Sequence, residues 1–203
     1  MIGYNLVILK DLLEIVGEDR VKSILSDYVC PQNTDVEYFL SNRAIEFEKQ
    51  GISTTYLIFA SHKNEVRLFG YFAIVIKGIS VPDKRQMSGN LKKRLNKFAI
   101  RNNESKEYVV PAILIAQLGK NFKDDLNKEI SGEEMLEIAC NKAKQIQRLS
   151  SGKVIYLECE DNIKLIEFYE KNGFYNFGKR EREVYEKDLI KSRILVEMIK
   201  YLK

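Results

Sequence analysis

The spacing of apolar residues predicts two helices at the start of the chain. Between residues 11 and 28 an apolar side chain recurs every three or four positions, with an interruption or kink expected near Gly17. A second helix is expected over residues 36–50, with Asp35 as its N-cap and with its end before Gly51. The chain is therefore expected to open with helices.

The next segments have the composition of β-strands. Residues 54–60 and 66–77 are rich in β-branched and aromatic side chains and flank a polar turn, which predicts an antiparallel hairpin. Residues 108–118 are almost continuously apolar, as expected for a central strand that is covered on both faces. Later strands are expected at 154–159 and 194–199.

Two helices lie between these later strands. Residues 132–149 place their apolar side chains on one side, and a shorter amphipathic helix follows Asn162. The strand–helix–strand unit over residues 108–159 is expected to be a right-handed parallel crossover, whereas the hairpin before it is antiparallel. The sequence thus predicts an α/β (α+β) fold with a mixed central sheet flanked by helices, as a single domain over residues 1–203.

Composition and charge limit which ligands and which cellular location are expected for the chain. The chain has 203 residues and a net charge of +4, a mild excess that fits an anionic ligand or RNA and requires neither. No apolar run approaches the roughly 18 residues of a membrane span. The first residues lack a basic stretch followed by a cleavable apolar one, so a cytoplasmic protein is expected. The three cysteines (Cys30, Cys140 and Cys159) are scattered and the one histidine, His62, falls in the predicted hairpin turn at the surface, so no metal site is expected.

The stretch from Asn162 to Phe174, NIKLIEFYEKNGF, carries the most specific pattern in the chain. It joins an apolar strand to a short helix with apolar and aromatic residues at helical spacing. Gly173 can end that helix in the left-handed region, after which Phe174 returns the chain to the core. This stretch resembles the late motif of the GNAT acyltransferase superfamily. The apolar and aromatic residues at helical spacing in this stretch are Leu165, Ile166, Phe168 and Tyr169.

The resemblance implies a GNAT-like fold and an acetyl-CoA-dependent N-acetyltransferase that needs no metal. In such enzymes an amine attacks the thioester directly in a ternary complex, without a covalent enzyme intermediate. The resemblance further implies that Tyr169 lies near the coenzyme sulfur and protonates the departing thiolate. The residues by themselves also fit a simpler interpretation, in which Tyr169 is a core aromatic of a capped helix.

The resemblance also implies a pyrophosphate loop before the helix at 132–149, since a helix N-terminus with nearby glycines suits an anion. Only Gly132 matches the family pattern Gln/Arg-x-x-Gly-x-Gly/Ala, because Asn127 replaces Gln/Arg and Ile130 replaces the middle glycine. An ordinary capped helix is the alternative, and Glu133 and Glu134 at the helix start would repel an anion. The residues assigned to this loop site are Asn127, Lys128, Ser131 and Gly132.

A second part of the coenzyme site is implied on the central strand. In the family, the pantetheine arm pairs with the backbone of that strand where neighbouring strands splay. This maps to Ile115, Ala116, Gln117 and Leu118, and Asn162 is assigned to the same coenzyme site.

The residues at the end of the strand 154–159 are candidates for proton transfer from the amine. Glu158 and Glu160 are expected to receive the amine proton through water or to attract a cationic substrate. A solvated strand end, with Asp161 or Asn162 capping the next helix, explains these residues equally well. Cys159 is an acyl carrier only in principle, because a buried thiol in a strand is commonly a packing residue.

The front half looks like the opening of GNAT toxins, which acetylate the amino group of aminoacyl-tRNA. This resemblance rests on Tyr28-Val29-Cys30, on the helix that starts at Asp35 and on Thr54-Thr55-Tyr56. The basic segment 84–101 suits tRNA phosphates or is a solvated face. Three hypotheses therefore stay open: an N-acetyltransferase of unknown acceptor, an aminoacyl-tRNA acetylating toxin, and a GNAT-like domain that binds a ligand without catalysis. Nothing in the sequence decides the oligomeric state, and a homodimer stays open.

Overall fold

Strands and helices run from Tyr4 to Tyr201 in the computed structural model. The structure describes residues 3–82, 89–90, 93, 96–97, 99–102, 104, 107–150, 152–186 and 192–202. The strands are β1 (Tyr4–Ile8), β2 (Thr54–His62), β3 (Glu65–Pro82), β4 (Ile100–Asn102), β5 (Glu107–Lys120), β6 (Val154–Glu160), β7 (Tyr175–Glu181) and β8 (Ile194–Tyr201). The helices are α1 (Leu9–Val16), α2 (Glu18–Leu25), α3 (Thr34–Asn42), α4 (Ala44–Lys49), α5 (Gly132–Leu149) and α6 (Ile163–Lys171), with short 3-10 segments at Lys123–Lys128 and Val184–Glu186.

The strands pair in the order β1-β2-β3-β5-β6-β8-β7, and β4 pairs with β5. The β2–β3 hairpin is antiparallel and turns at Lys63 and Asn64, both with positive φ, as expected for a two-residue hairpin loop. Strands β5 and β6 pair parallel, and β8 is antiparallel to both β6 and β7. The predicted mixed sheet is therefore confirmed.

Several elements differ from the sequence prediction. Strands β1, β4 and β7 were not predicted, because β1 and β4 are short and β7 (YNFGKRE) is mostly polar. The kink near Gly17 is confirmed as a break between α1 and α2. The second predicted helix is two helices that meet at Arg43. Its N-cap is Asn33, whose side chain accepts the amides of Asp35 and Val36, so the assignment of the cap to Asp35 was wrong.

The described residues form two compact units, each with its own core. The first contains residues 1–75 and 115–140, and the second contains residues 76–114 and 141–203. The prediction of one domain over residues 1–203 stays a prediction. Large buried side chains of the first unit include Leu9, Leu25, Leu40, Leu57, Ile58, Phe69, Tyr71, Phe72, Leu126 and Met135. The core of the second unit includes Ile79, Val81, Val110, Ala112, Val154, Tyr156, Phe177 and Ile199.

Two glycines allow close packing in the first unit. A Cβ atom at Gly70 of β3 would lie 2.6 Å from the Gly119 carbonyl oxygen and 2.8 Å from the Met135 sulfur. A Cβ atom at Gly119 of β5 would overlap the Tyr28 hydroxyl and the Val36 side chain. The end of β5, which carries candidate coenzyme residues, therefore packs directly against the segment around α3.

We expect Gly119→Ala to destabilise the protein by about 1–3 kcal/mol, the usual cost of overpacking a core. The added methyl group must displace both Tyr28 and Val36. Urea unfolding followed by far-ultraviolet circular dichroism measures the change. Gly3→Ala is the matched control, because nothing lies within 4 Å of a Cβ atom at Gly3. Equal unfolding midpoints for the two variants would contradict the close approach.

Candidate functional site

Helix α5 begins with a reciprocal pair of hydrogen bonds between Ser131 and Glu134. The Glu134 amide donates to the Ser131 hydroxyl at 3.0 Å, and the Ser131 amide donates to the Glu134 carboxylate at 2.9 Å. This capping box satisfies two of the four amides that the start of a helix leaves without an intrahelical partner. The hydrogen bonds with Ser131 hold the pKa of the Glu134 carboxyl below its ordinary value. A carboxylate therefore already occupies one amide at this end of α5.

Lys120 ties the loop before α5 to the end of β5. Its Nζ donates to the Asn127 carbonyl at 2.9 Å and to the Ile130 carbonyl at 3.2 Å. Because the N–H of a trans peptide group is antiparallel to its C=O, the Ser131 amide points away from Lys120. No described carboxylate forms an ion pair with Lys120, in contrast to its neighbours. The neighbouring pairs are Arg67 with Asp124, Lys123 with Asp27, and Lys128 with Asp125.

Sequence reasoning missed Lys120 as a loop residue. A lysine two residues after the apolar run 108–118 is ordinary in a sequence and gives no sign of the contacts that it makes in the structure. The half-buried ammonium group of Lys120 places a positive charge next to the Asn127 and Ile130 carbonyls, and no described carboxylate forms an ion pair with it. Lys128, which the sequence favoured for that charge, is exposed and forms an ion pair with Asp125 at 3.0 Å.

The buried amide of Asn121 anchors the same end of β5. Its Nδ2 donates to the Leu68 carbonyl at 2.8 Å and its Oδ1 accepts the Val29 amide at 3.1 Å. Further hydrogen bonds with Asp27 and Lys123 bring the side chain to four, so every polar position of the amide is used. The loop that starts here is therefore fixed at its first residue.

Residues Ile115–Leu118 form the part of β5 that lies beyond its parallel ladder. The pairing of β5 with β6 covers Ala112–Leu114 opposite Val154–Tyr156 and stops there. The backbone groups of the next four residues on that edge have no partner on β6. A strand edge that continues beyond its ladder in this way can pair with an extended ligand.

In the second unit, the Glu158 carboxylate is bound by Arg180. The Arg180 guanidinium donates to both Glu158 oxygens at 2.6 Å and to both Glu186 oxygens at 2.7 and 2.8 Å. The Tyr156 hydroxyl also donates to Glu158. The three charged side chains are 13–20% exposed. Glu158 therefore needs to break a two-pronged ion pair before it can act as a base, which the sequence did not predict.

This ion cluster predicts a specific dependence of stability on pH. Burial raises the pKa of Glu186, but the hydrogen bonds and charge of Arg180 outweigh burial and hold that pKa below its ordinary value. A carboxyl whose pKa is depressed on folding stabilises the protein above its unfolded pKa, and this contribution is lost as the pH falls through the folded pKa. Acid below the ordinary glutamate value should therefore weaken the wild-type fold.

We expect Arg180→Met to cost about 2–4 kcal/mol at pH 7, because it leaves two carboxylates without their cation. The variant should lose less stability than the wild type between pH 7 and pH 4, since it lacks the cation that holds the pKa of Glu186 below its ordinary value in the wild type. Urea unfolding at the two pH values measures both effects. Lys179→Met is the control, because its partner Asp161 lies in an exposed pair that contributes about 0–1 kcal/mol. Parallel pH profiles for Arg180→Met and wild type would refute the assignment.

Tyr169 lies half-buried on α6 between two aromatic rings. Its ring centroid is 5.1 Å from that of Phe168 and 5.8 Å from that of Phe174, both in edge-to-face geometry. The Tyr169 carbonyl accepts the Phe174 amide at 3.0 Å. Phe174, which follows Gly173, therefore contacts both the backbone and the ring of Tyr169.

The structure places Tyr169 and the two sequence-predicted carboxylates on different faces of the sheet in this unit. Side chains alternate along a strand, so Glu158 and Glu160 share one face of β6. Lys200 of β8 belongs to the opposite face by its register, and its Nζ lies 5.4 Å from the centroid of the Phe174 ring. Since Phe174 contacts Tyr169, α6 packs on the face away from Glu158. Glu160 is exposed at the end of its strand.

Three further sequence-predicted residues have clear surroundings. Asn162 is the N-cap of α6, where its side chain accepts the Lys164 amide at 2.9 Å. Burial and then the charges of Asp161 and Glu160 raise the pKa of the Cys159 thiol to about 11, so the thiol stays protonated at neutral pH. His62 ends β2 and its side chain is 15% exposed, so the prediction of a surface turn residue was wrong.

Four other sequence predictions concern metal binding, membrane spans, the basic segment 84–101 and the cellular location. Among the described residues, no group of three or more histidine, cysteine, aspartate or glutamate side chains is arranged to hold a metal ion. None of the described helices combines the length and the apolar character needed to cross a membrane. Most of the basic segment 84–101 lies outside the described residues, although Lys93 and Lys97 are exposed. The cytoplasmic location stays a prediction.

No protein-family model matches this chain, and no curated protein matches it. Solved structures do match. A tyrosine-to-phenylalanine mutant of KacT superimposes with a TM-score of 0.60 at 13% identity, over 95% of this chain and 93% of that chain. AtaT complexed with acetyl-methionyl-tRNAfMet gives a TM-score of 0.60 at 15% identity, over 96% of this chain and 94% of that chain. AtaTR bound with acetyl-CoA gives 0.54 at 12% identity, over 96% and 91%.

At such low identity these likenesses show the fold. The chain has the fold of KacT and of the toxin AtaT over nearly its whole length, which confirms at the level of fold the resemblance stated from the sequence.

Proposed function

We propose that this chain transfers the acetyl group of acetyl-CoA to a primary amine, and that the amine is the α-amino group of an aminoacyl-tRNA. The observation that carries this proposal is the tyrosine motif of α6 within a fold that AtaT shares. AtaT has been solved with acetyl-CoA and with acetyl-methionyl-tRNAfMet. The acceptor end of a charged tRNA offers the neutral amine that direct attack on a thioester requires.

The chemistry needs one acid and one proton acceptor. The amine nitrogen attacks the thioester carbonyl, the carbon–sulfur bond breaks, and the thiolate takes the proton of the Tyr169 hydroxyl. The amine loses a proton to water, because Glu160, although exposed at the end of β6, lies on the face of the sheet away from Tyr169. Glu158 is held by Arg180, so its proposed part is to fix this end of the strand.

The coenzyme is proposed to use the backbone of Ile115–Leu118 for its pantetheine arm and the start of α5 for its pyrophosphate. The amides of Gly132 and Glu133 lie outside the capping box, at the positive end of the helix dipole. Lys120 is proposed to hold the loop in place through the Asn127 and Ile130 carbonyls, on the side away from the Ser131 amide. Asn162 is proposed to contribute to the coenzyme site indirectly, because its side chain caps the start of α6.

The acceptor is tested by incubating the protein with radiolabelled acetyl-CoA and either charged or deacylated tRNA. Label should enter the aminoacyl-tRNA alone, because deacylated tRNA has no α-amino group. A mixture of free amino acids at the same concentration separates recognition of tRNA from simple amine reactivity. Equal labelling of free amino acids would reject tRNA as the acceptor and keep the acetyltransferase.

A second function is favoured by one observation. The Glu134 carboxylate occupies the Ser131 amide at the start of α5, where a pyrophosphate group would carry the same charge. A domain that binds a ligand without catalysis fits this arrangement. Calorimetry with acetyl-CoA and a parallel assay of coenzyme release distinguish the two, since binding without release in the presence of acceptors supports the non-catalytic domain.

A further inference from the structure

The turn after α6 is closed by a contact from the far end of the chain. Gly173 has a φ of +81°, and its amide donates to the Glu170 carbonyl at 2.9 Å. The Asn172 carbonyl at the same helix end accepts the Nζ of Lys200 at 2.7 Å. Lys200 comes from β8, 28 residues further along the chain. A cation at a helix C-terminus is favourable because it faces the negative end of the dipole.

The same ammonium group also holds an aromatic ring in place. The Nζ of Lys200 stands 5.4 Å from the centroid of Phe174, within the range of cation–π attraction. Phe174 is 2% exposed, so its ring has little room to move. Phe174 in turn packs edge-to-face on Tyr169 and donates its amide to the Tyr169 carbonyl. A continuous set of contacts therefore runs from Lys200 through Phe174 to Tyr169.

We propose that Lys200 is a positioning residue for the acid of the transfer reaction, an inference that rests on the proposed function. Lys200 fixes the turn and the Phe174 ring, and these fix the direction of the Tyr169 ring. It acts through other residues, because its own ammonium group is engaged by Asn172 and Phe174. A displaced acid slows proton transfer far more than it changes binding, since small misplacements of reacting groups are costly in rate.

Lys200→Met keeps the aliphatic stem and removes both the donor and the charge. It should lower kcat by about tenfold and leave the KM for acetyl-CoA unchanged. Lys200→Arg keeps charge and donors and should recover most of the rate. Lys171→Met is the matched control, because Lys171 is an exposed lysine in the last turn of the same helix. If Lys200→Met unfolds the protein, Lys200→Gln, which keeps a donor, replaces it.

A double-mutant cycle separates positioning from general destabilisation. In a Tyr169→Phe background, Lys200→Met should change kcat by less than about twofold, because the group it positions is gone. An equal fall in both backgrounds, or no fall in the wild-type background, would overturn the inference. Failure of the proposed function gives a different result. In that case the wild type shows no acetyl transfer, or Tyr169→Phe alone leaves kcat unchanged.

Discussion

Replacing Tyr169 by phenylalanine should lower kcat by roughly tenfold to thousandfold, which is the usual contribution of a general acid. The substitution keeps the ring contacts with Phe168 and Phe174 and removes only the proton donor. A tyrosine with an ordinary pKa of about 10 is protonated at neutral pH, and a departing thiolate is basic enough to take its proton. Coenzyme affinity and thermal stability should stay close to those of the wild type.

Steady-state kinetics, calorimetry with acetyl-CoA and thermal unfolding check these three expectations together. Phe168→Leu serves as a control for ring packing, since it disturbs an aromatic neighbour without touching the hydroxyl. A Tyr169→Phe variant that turns over as fast as the wild type would show that water supplies the proton and that Tyr169 is a packing residue.

Replacing Gly132 by glutamate should reduce acetyl-CoA affinity beyond detection, a loss of at least about a hundredfold or 2.8 kcal/mol. Gly132 is the first residue of α5, where a new carboxylate meets the site proposed for the pyrophosphate. An acidic residue in the first turn suits the helix dipole, so the fold should not be weakened. Calorimetry measures the affinity and circular dichroism checks the fold.

Gly132→Gln is the matched variant, because it adds nearly the same bulk without charge. We expect it to bind more weakly than the wild type and more tightly than Gly132→Glu. Undiminished affinity in Gly132→Glu would remove the start of α5 from the coenzyme site while leaving the Tyr169 assignment untouched.

The sheet and its long helices were predictable from the sequence because their signals are strong and local. The apolar run in β5 and the amphipathic α5 each extend over more than ten residues. The local pattern of each therefore agrees with the structure that it adopts in the folded protein. Strand β7 was not predictable, since its polar sequence becomes a strand only by pairing with β8. The cap of α3 was misplaced by two residues because Asn33 and Asp35 are both good capping residues.

The candidate site was predictable only where a motif carried it. The stretch around Tyr169 has a fixed spacing that a single sequence displays. The partners of Glu158 and Asn172 were not visible, because Arg180 and Lys200 reach them from strands that lie 22 and 28 residues away along the chain. The same limit applies to Lys120, whose contacts depend on how the loop before α5 folds back.

The proposed roles of Tyr169, Gly132 and Lys200 all depend on transfer of an acetyl group by this chain. The most direct measurement follows the release of free coenzyme A thiol from acetyl-CoA when purified protein meets a panel of amines, peptides and aminoacyl-tRNAs. We expect acceptor-dependent release of the thiol that falls sharply in Tyr169→Phe. Binding of acetyl-CoA without thiol release for any acceptor in the panel would contradict it.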